Sequence, residues 1–236
     1  MAVDPSEPSL FFLIFPACVI AFFFVVVVAT GLWEKRRIEA YSVPEPGTEN
    51  PCTPYALQRN REAKKLGYRY GGAYHDARES IYKCRYDYWL SADSTVLAWV
   101  SCGTIATLPL KSVNLISQLE DGRYLQTTDM KGQSDLSGLI DLQIWPKLTF
   151  SKLAERHDAR LATLRETPIP FSEAPLRAAS NIRRAQAQRL VDQGDAQFVD
   201  DDQSIWKYTL KGALRFYFVA VWLQTFRRGL RKVGVS

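Results

Sequence analysis

One run of residues constrains this chain more than any other: from Leu10 to Trp33, LFFLIFPACVIAFFFVVVVATGLW, 24 consecutive positions carry no formal charge. About 20 apolar residues cross the ~30 Å hydrocarbon core of a bilayer as a helix, so the run predicts a transmembrane helix over residues 10–33. Pro16 inside it removes one backbone hydrogen bond, which a lipid-embedded helix tolerates better than a soluble one. A cleaved leader would carry basic residues ahead of its apolar core, whereas residues 1–9 hold Asp4 and Glu7 and no Lys or Arg. A lipoprotein reading fails on Cys18, which lies in the middle of the apolar run.

The flanks set the expected orientation. Two acids precede the run, while Lys35, Arg36 and Arg37 follow it. The positive-inside rule then places residues 1–9 outside and everything from Glu34 onward in the cytoplasm. The expectation is a single-pass cell-membrane protein, N-terminus out. Of the four cysteines, one falls in the run, and Cys52, Cys84 and Cys102 have no disulfide-like spacing, in keeping with a reducing compartment.

Residues 34–55 are rich in proline, glycine and charge without apolar period and read as a juxtamembrane linker. Ala56–Lys65 reads as a short basic helix ended by the glycines of LGYRYGGAY. In IYKCRYDYWL, Tyr82, Cys84, Tyr86, Tyr88 and Leu90 alternate with Lys83, Arg85 and Asp87, the period of a half-buried strand. TVLAWV reads as a central strand. Lys111–Asp129 reads as a hairpin turning at Asp121-Gly122, with a glycine bulge that keeps Leu125 on the face of Val113, Leu115 and Leu119. These give an antiparallel sheet of four or five strands.

Two helices follow. Residues 150–166 place Phe150, Leu153, His157, Leu161 and Leu164 on one face, as an amphipathic helix lying on the sheet requires. Ser172 reads as the N-cap of a second helix running to Val191 and closed by Gly194. QFVDDDQSIWKYTL suggests a small hairpin around its aspartates. The folded body is thus expected over residues 56–204: an α+β domain, a small antiparallel β-sheet covered by helices.

Residues 205–236 form the most basic segment. Lys207, Lys211, Arg215, Arg227, Arg228, Arg231 and Lys232 occur there with no acid from Lys207 onward, against a whole-chain net charge of +5. The uncharged stretch FYFVAVWLQTF between them, at 1.5 Å per residue, is too short to span a bilayer. The preferred reading is a basic aromatic C-terminal helix at the membrane interface: Phe216, Phe218, Trp222 and Phe226 enter the cytoplasmic leaflet, and the basic side chains, with Lys35, Arg36 and Arg37, reach anionic lipid phosphates. The same helix could instead be a core element or a second span.

Local motifs for hydrolases, nucleotide enzymes and metal sites are missing, and only His75 and His157 are present. No catalytic residue, metal site or cofactor is assigned. His157 falls on an apolar helix face, and His75 reads as part of a glycine-bearing loop. Cys84 with one of these histidines is the only conceivable nucleophile pair, and Cys84 lies on an apolar strand face, a poor setting for a thiolate. Arg177, Arg183, Arg184 and Arg189 on one helix, with Tyr68, Tyr70 and Tyr74 among Lys64, Lys65 and Arg69, could serve nucleic acid, but anionic lipid explains basic charge near an anchor more economically. The function expected is a membrane-anchored accessory or scaffolding protein holding its cytoplasmic domain against the membrane for an unidentified protein partner. The alternatives are a motif-poor tethered enzyme using His75 or His157, or a module binding anionic lipid or nucleic acid.

Overall fold

The structure, a computed structural model, describes residues 10–38, 41–42, 53–76, 82–105, 108–131, 133–164 and 166–219. In chain order the elements are α1 (Leu10–Trp33), β1 (Arg36–Arg37), β2 (Tyr41–Ser42), α2 (Thr53–Lys65), β3 (Arg69–Asp76), β4 (Tyr82–Leu90), β5 (Leu97–Ile105), β6 (Leu108–Leu119), β7 (Tyr124–Thr128), β8 (Ile140–Ile144), α3 (Phe150–Leu164), β9 (Pro168–Ile169), α4 (Pro175–Asp192), β10 (Ala196–Phe198), β11 (Ile205–Tyr208) and α5 (Leu210–Phe216). They divide into two compact units, one running from Arg37 to Arg189 and the other made of the chain up to Arg36 with the chain from Leu190 on.

The Arg37–Arg189 unit is α+β, built on an eight-stranded sheet in which β2 to β8 are neighbours in sequence order and β9 pairs with the end of β6. All pairs are antiparallel except β7 and β8, which run parallel. This exceeds the expected four or five antiparallel strands. Four strands escaped the pattern: the two-residue β2 and β9, β3, whose Gly71-Gly72 reads as a stop, and β8, whose partner lies across a crossover. The β6–β7 hairpin turns as expected. Ser117 opposes Leu125, which places Leu125 on the face of Val113, Leu115 and Leu119, and Gly122 takes the left-handed φ of +82° that the bulge requires.

Helices cover both faces of this sheet. On one, α2 and α3 bury Ala56, Ala63, Phe150, Leu153 and Ala154 against Trp89, Ala98, Val100, Cys102, Val113 and Leu115. Phe150 and Leu153 are fully buried, each contributing roughly 1.5–3 kcal/mol of apolar transfer. Pro54 opens α2, where its missing N–H has no cost. Glu62 pairs with Arg59 at 2.8 Å within α2 and also accepts the Phe150 amide at 2.7 Å, so α2 caps α3. On the other face, α4 lays Ala178, Ala179 and Ile182 on Cys84, Tyr86, Tyr88, Leu90, Leu97, Ile116 and Tyr124. The start of α4 comes so near β3 that a Cβ on Gly71 would lie 2.4 Å from Pro175 Cγ. Because both faces are covered, β4 is not half-buried: Asp87, expected in solvent, is 1% exposed. It accepts hydrogen bonds from Asn60, Tyr70 and Arg85.

The other unit has a separate core. Its hairpin β10–β11 pairs Ala196 with Tyr208 and Phe198 with Trp206, as the aspartate-rich turn suggests, and Asp200 accepts the Ser204 and Ile205 amides at 3.1 and 2.8 Å. The helix expected over residues 10–33 forms with those bounds as α1. Among the described residues, however, no helix is long and apolar enough to cross a membrane. The transmembrane assignment is therefore corrected, and with it the N-out, single-pass cell-membrane location. One side of the last turns of α1 is committed to protein. Val28 and Gly31 are buried, and Phe24 meets Tyr217 edge to face with ring centroids 4.9 Å apart.

Candidate functional site

Between the sheet and α4, within the Arg37–Arg189 unit, lies a cavity of about 160 Å³. Its floor is the α4 side of five strands: Tyr88 from β4, Trp99 from β5, Ile116 from β6, Gln126 from β7, and Ile140 and Leu142 from β8. The period of two in each strand brings these residues to one face. Its roof is α4, which contributes Ala179, Ile182, Arg183 and Gln186, the i, i+3, i+4, i+7 stripe of one helix side. The small Ala179 holds the helix near the sheet while leaving room beneath. Gln133, Ser134 and Asp135 close one end.

The polar groups of this cavity are positioned by hydrogen bonds. Asp135 Oδ1 accepts from the Ser137 amide at 3.1 Å, the Ser137 hydroxyl at 2.7 Å and Gln186 Nε2 at 3.1 Å, and its Oδ2 accepts the Ile140 amide at 2.9 Å. One carboxylate thus ties the end loop to both β8 and α4. Gln126 Nε2 donates to Asn114 Oδ1 at 3.0 Å, and Asn114 Nδ2 donates to Ser112 Oγ at 3.2 Å, a buried ladder across β6 and β7. Tyr88 and Trp99 form an aromatic wall with ring centroids 6.1 Å apart. Arg183 is half-buried as a residue, and burial of its guanidinium disfavours the charged form, pushing its pKa down to about 10.

Sequence reasoning grouped Arg183 with Arg177, Arg184 and Arg189 as the surface of a basic helix. The structure separates them, with Arg177, Arg184 and Arg189 exposed and Arg183 lining the cavity. The missed signal is positional: Arg183 lies on the apolar stripe of Ala179, Ile182 and Ala187.

The residues expected to hold anionic lipid gather differently. Arg36 pairs with Glu34 at 2.9 Å, and its guanidinium lies 5.3, 4.7 and 5.9 Å from the ring centres of Trp206, Tyr208 and Phe216. Phe216 also stacks on Tyr208. Lys211 and Arg215 both pair with Asp195, which is 1% exposed. Burial pulls that carboxyl upward, but Arg215 and Lys211 outweigh it and hold it below the usual carboxylate range. Lys207 is half-buried in β11, while Lys35, Arg37 and Phe218 are exposed. Trp222, Phe226, Arg227, Arg228, Arg231 and Lys232 lie outside the described residues.

The residues considered for catalysis are not assembled. His157 is fully buried. Ser117 Oγ donates to the Thr95 carbonyl at 2.9 Å, so His157 Nε2–H donates to Ser117 at 3.0 Å and the Thr127 hydroxyl donates to Nδ1 at 3.0 Å. Burial, reinforced by Arg160, pushes His157 down to about 3. The imidazole is a neutral bridge pinning α3 to the sheet. His75 is not in a loop but in β3, opposite Arg85 and therefore on the Arg85 face. Cys84 faces α4, so the sheet separates it from both histidines. Its Sγ donates to the Thr104 carbonyl at 3.4 Å. Among the described residues no cluster of His, Cys, Asp and Glu could hold a metal ion.

No protein-family model, curated protein or solved structure matches the chain.

Proposed function

We propose that this chain is a non-enzymatic accessory protein whose sheet and α4 together bind a small molecule and whose folded body serves a protein partner. The observation that carries the reading is the cavity between the sheet and α4: its wall is about equally apolar and polar, with aromatic and aliphatic side chains beside polar ones fixed by their neighbours, and small-molecule sites likewise combine apolar walls with convergent polar groups. The reactive groups elsewhere in the unit have structural tasks, His157 as a bridge and Asp87 as the centre of a buried network. Benzamide, which carries one ring and a neutral polar head, is the probe. Added to the full chain, it should shift the amide resonances of Ala179, Ile182 and Leu142, and Ala179→Leu, which fills the space, should abolish the shifts. Shifts absent, or indifferent to that substitution, refute the reading.

The partner role is supported by β8, which ends the sheet; among the described residues no strand pairs with its outer side. The parallel ladder turns the amides of Asp141, Gln143 and Trp145 toward β7, which leaves those of Leu142 and Ile144 facing out. An extended partner segment would add there as a further strand. Hydrogen exchange at Leu142 and Ile144 should be fast in the isolated chain and slowed in a native complex; unchanged exchange in such a complex removes β8 as the docking edge.

A further inference from the structure

The floor of the cavity holds a carboxamide with only one end engaged. Gln126 is 2% exposed and turns its Nε2 to Asn114 Oδ1 at 3.0 Å, and Asn114 Nδ2 donates onward to Ser112 Oγ at 3.2 Å. Gln126 lines the cavity, whereas Asn114 and Ser112 lie outside its wall. A carboxamide whose nitrogen points one way carries its oxygen on the other side of the same carbon, so Oε1 is the polar atom that Gln126 presents to the cavity. Among the described residues no group donates to that oxygen. A buried carbonyl oxygen without a donor is costly, and a guest that displaces water from it without replacing the hydrogen bond loses affinity. Asp135, by contrast, has both oxygens engaged by Ser137, Gln186 and Ile140. The wall carries one acid, Asp135, and one base, Arg183, so its formal charges cancel and select no ionic guest. A volume of about 160 Å³ is close to that of an apolar protein cavity that accepts a single benzene ring.

Resting on the small-molecule reading above, we infer that the ligand class of this cavity is a neutral single-ring compound whose head carries an N–H or O–H donor, the donor on Gln126 Oε1 and the ring over Ile116 against the Tyr88–Trp99 wall. The spacing fits. Trp99 on β5 and Gln126 on β7 stand on either side of Ile116 on β6, two strand spacings or about 10 Å apart, the span of one ring with a short head. Burial makes such a hydrogen bond stronger than the same bond in water. A site built to accept a proton donor also rejects the analogue that lacks one, because its own oxygen is then left unpaired.

Benzamide and acetophenone separate the two readings, because they share size, shape and a carbonyl and differ in an amino group where the other has a methyl. In titrations of the full chain followed by the amide shifts of Ala179, Ile182 and Leu142, benzamide should bind about fivefold more tightly, the range of one neutral hydrogen bond. It should also move the Gln126 Cδ carbon resonance downfield, and acetophenone should not. Gln126→Met, which keeps the length of the side chain and removes the acceptor, should erase the preference while leaving acetophenone binding in place. Ala179→Leu should abolish binding of both probes. Acetophenone binding as well as or better than benzamide overturns the donor assignment and leaves the cavity reading standing. Failure of both probes overturns both, and so does binding that Ala179→Leu leaves unchanged. A preference for benzamide that survives Gln126→Met puts the donor on another group and overturns the assignment alone. Should Gln126→Met fail to fold, the wild-type preference and the Gln126 Cδ shift decide.

Discussion

The two faces of the large sheet are built from the same strands and covered by helices, yet they pack differently. Under α2 and α3 the centre of the face is filled. Phe150 and Leu153 meet Val100, Val113 and Leu115, and the polar groups among them, His157 with Ser117 and Thr127, and Asp87 with Asn60, Tyr70 and Arg85, satisfy one another. Under α4 the strands present large aromatic residues to a helix whose facing positions include the small Ala178 and Ala179, and a cavity lies there beside Arg183. Complete interdigitation gives stability and leaves no space for a ligand. A ligand face requires that some of that stability be absent.

If the contrast is right, damage to the closed face should be costly. Phe150→Ala should lower unfolding free energy by about 4 kcal/mol, a buried aromatic truncation, read from urea denaturation. A loss under 1 kcal/mol would mean that the α2–α3 face is loosely packed. Acid probes the same face through His157. Its pKa falls from 6.5 to about 3 on folding, so between those values the unfolded chain binds the proton and the folded one does not. Stability from this group is intact above pH 6.5 and is lost as pH falls toward 3. Unfolding measured at pH 7 and pH 4.5 should differ by about 2.5 kcal/mol through His157, and His157→Gln should remove that part of the slope.

The α4 face should respond more mildly and through the helix position. Gly71→Ala drives a Cβ into Pro175 and should cost about 2 kcal/mol, with shifted amide resonances along the first turns of α4. Ala179→Leu, the variant that removes the cavity, should change stability by no more than about 1 kcal/mol in either direction, since filling space and crowding it oppose each other. A loss comparable to that of Phe150→Ala would show the α4 face to be as tightly packed as its opposite and would sink the comparison.

Local pattern made much of this architecture legible. The turn at Asp121-Gly122 and its bulge, the apolar face of α3 with His157 on it, most of α4, and the β10–β11 hairpin all follow from neighbouring residues, because turns, caps and helical periods are local. What was missed depends on distant partners. Gly71 reads as a strand breaker until Pro175, more than a hundred positions later, needs the space. Asp87 reads as solvent-facing until α2 brings Asn60 over it. The buried Asp195 that pairs with both Lys211 and Arg215 has no local signature. The apolar run Leu10–Trp33 gives the helix its bounds, but what its last turns meet depends on Tyr217, and no charge count reveals that. Arg183 was visible as an arginine on an apolar stripe, but helical period alone does not distinguish a cavity-lining cation from one whose long stem reaches water.

The position of α4 at the end of its unit carries a consequence for synthesis. The strands from β3 to β8 leave the ribosome before Pro175, so the aromatic surface of Tyr86, Tyr88 and Trp99 faces water until the last part of the unit emerges. A nascent chain halted before Pro175 displays that surface without its cover, the kind of exposed apolar patch that chaperones engage and that drives aggregation.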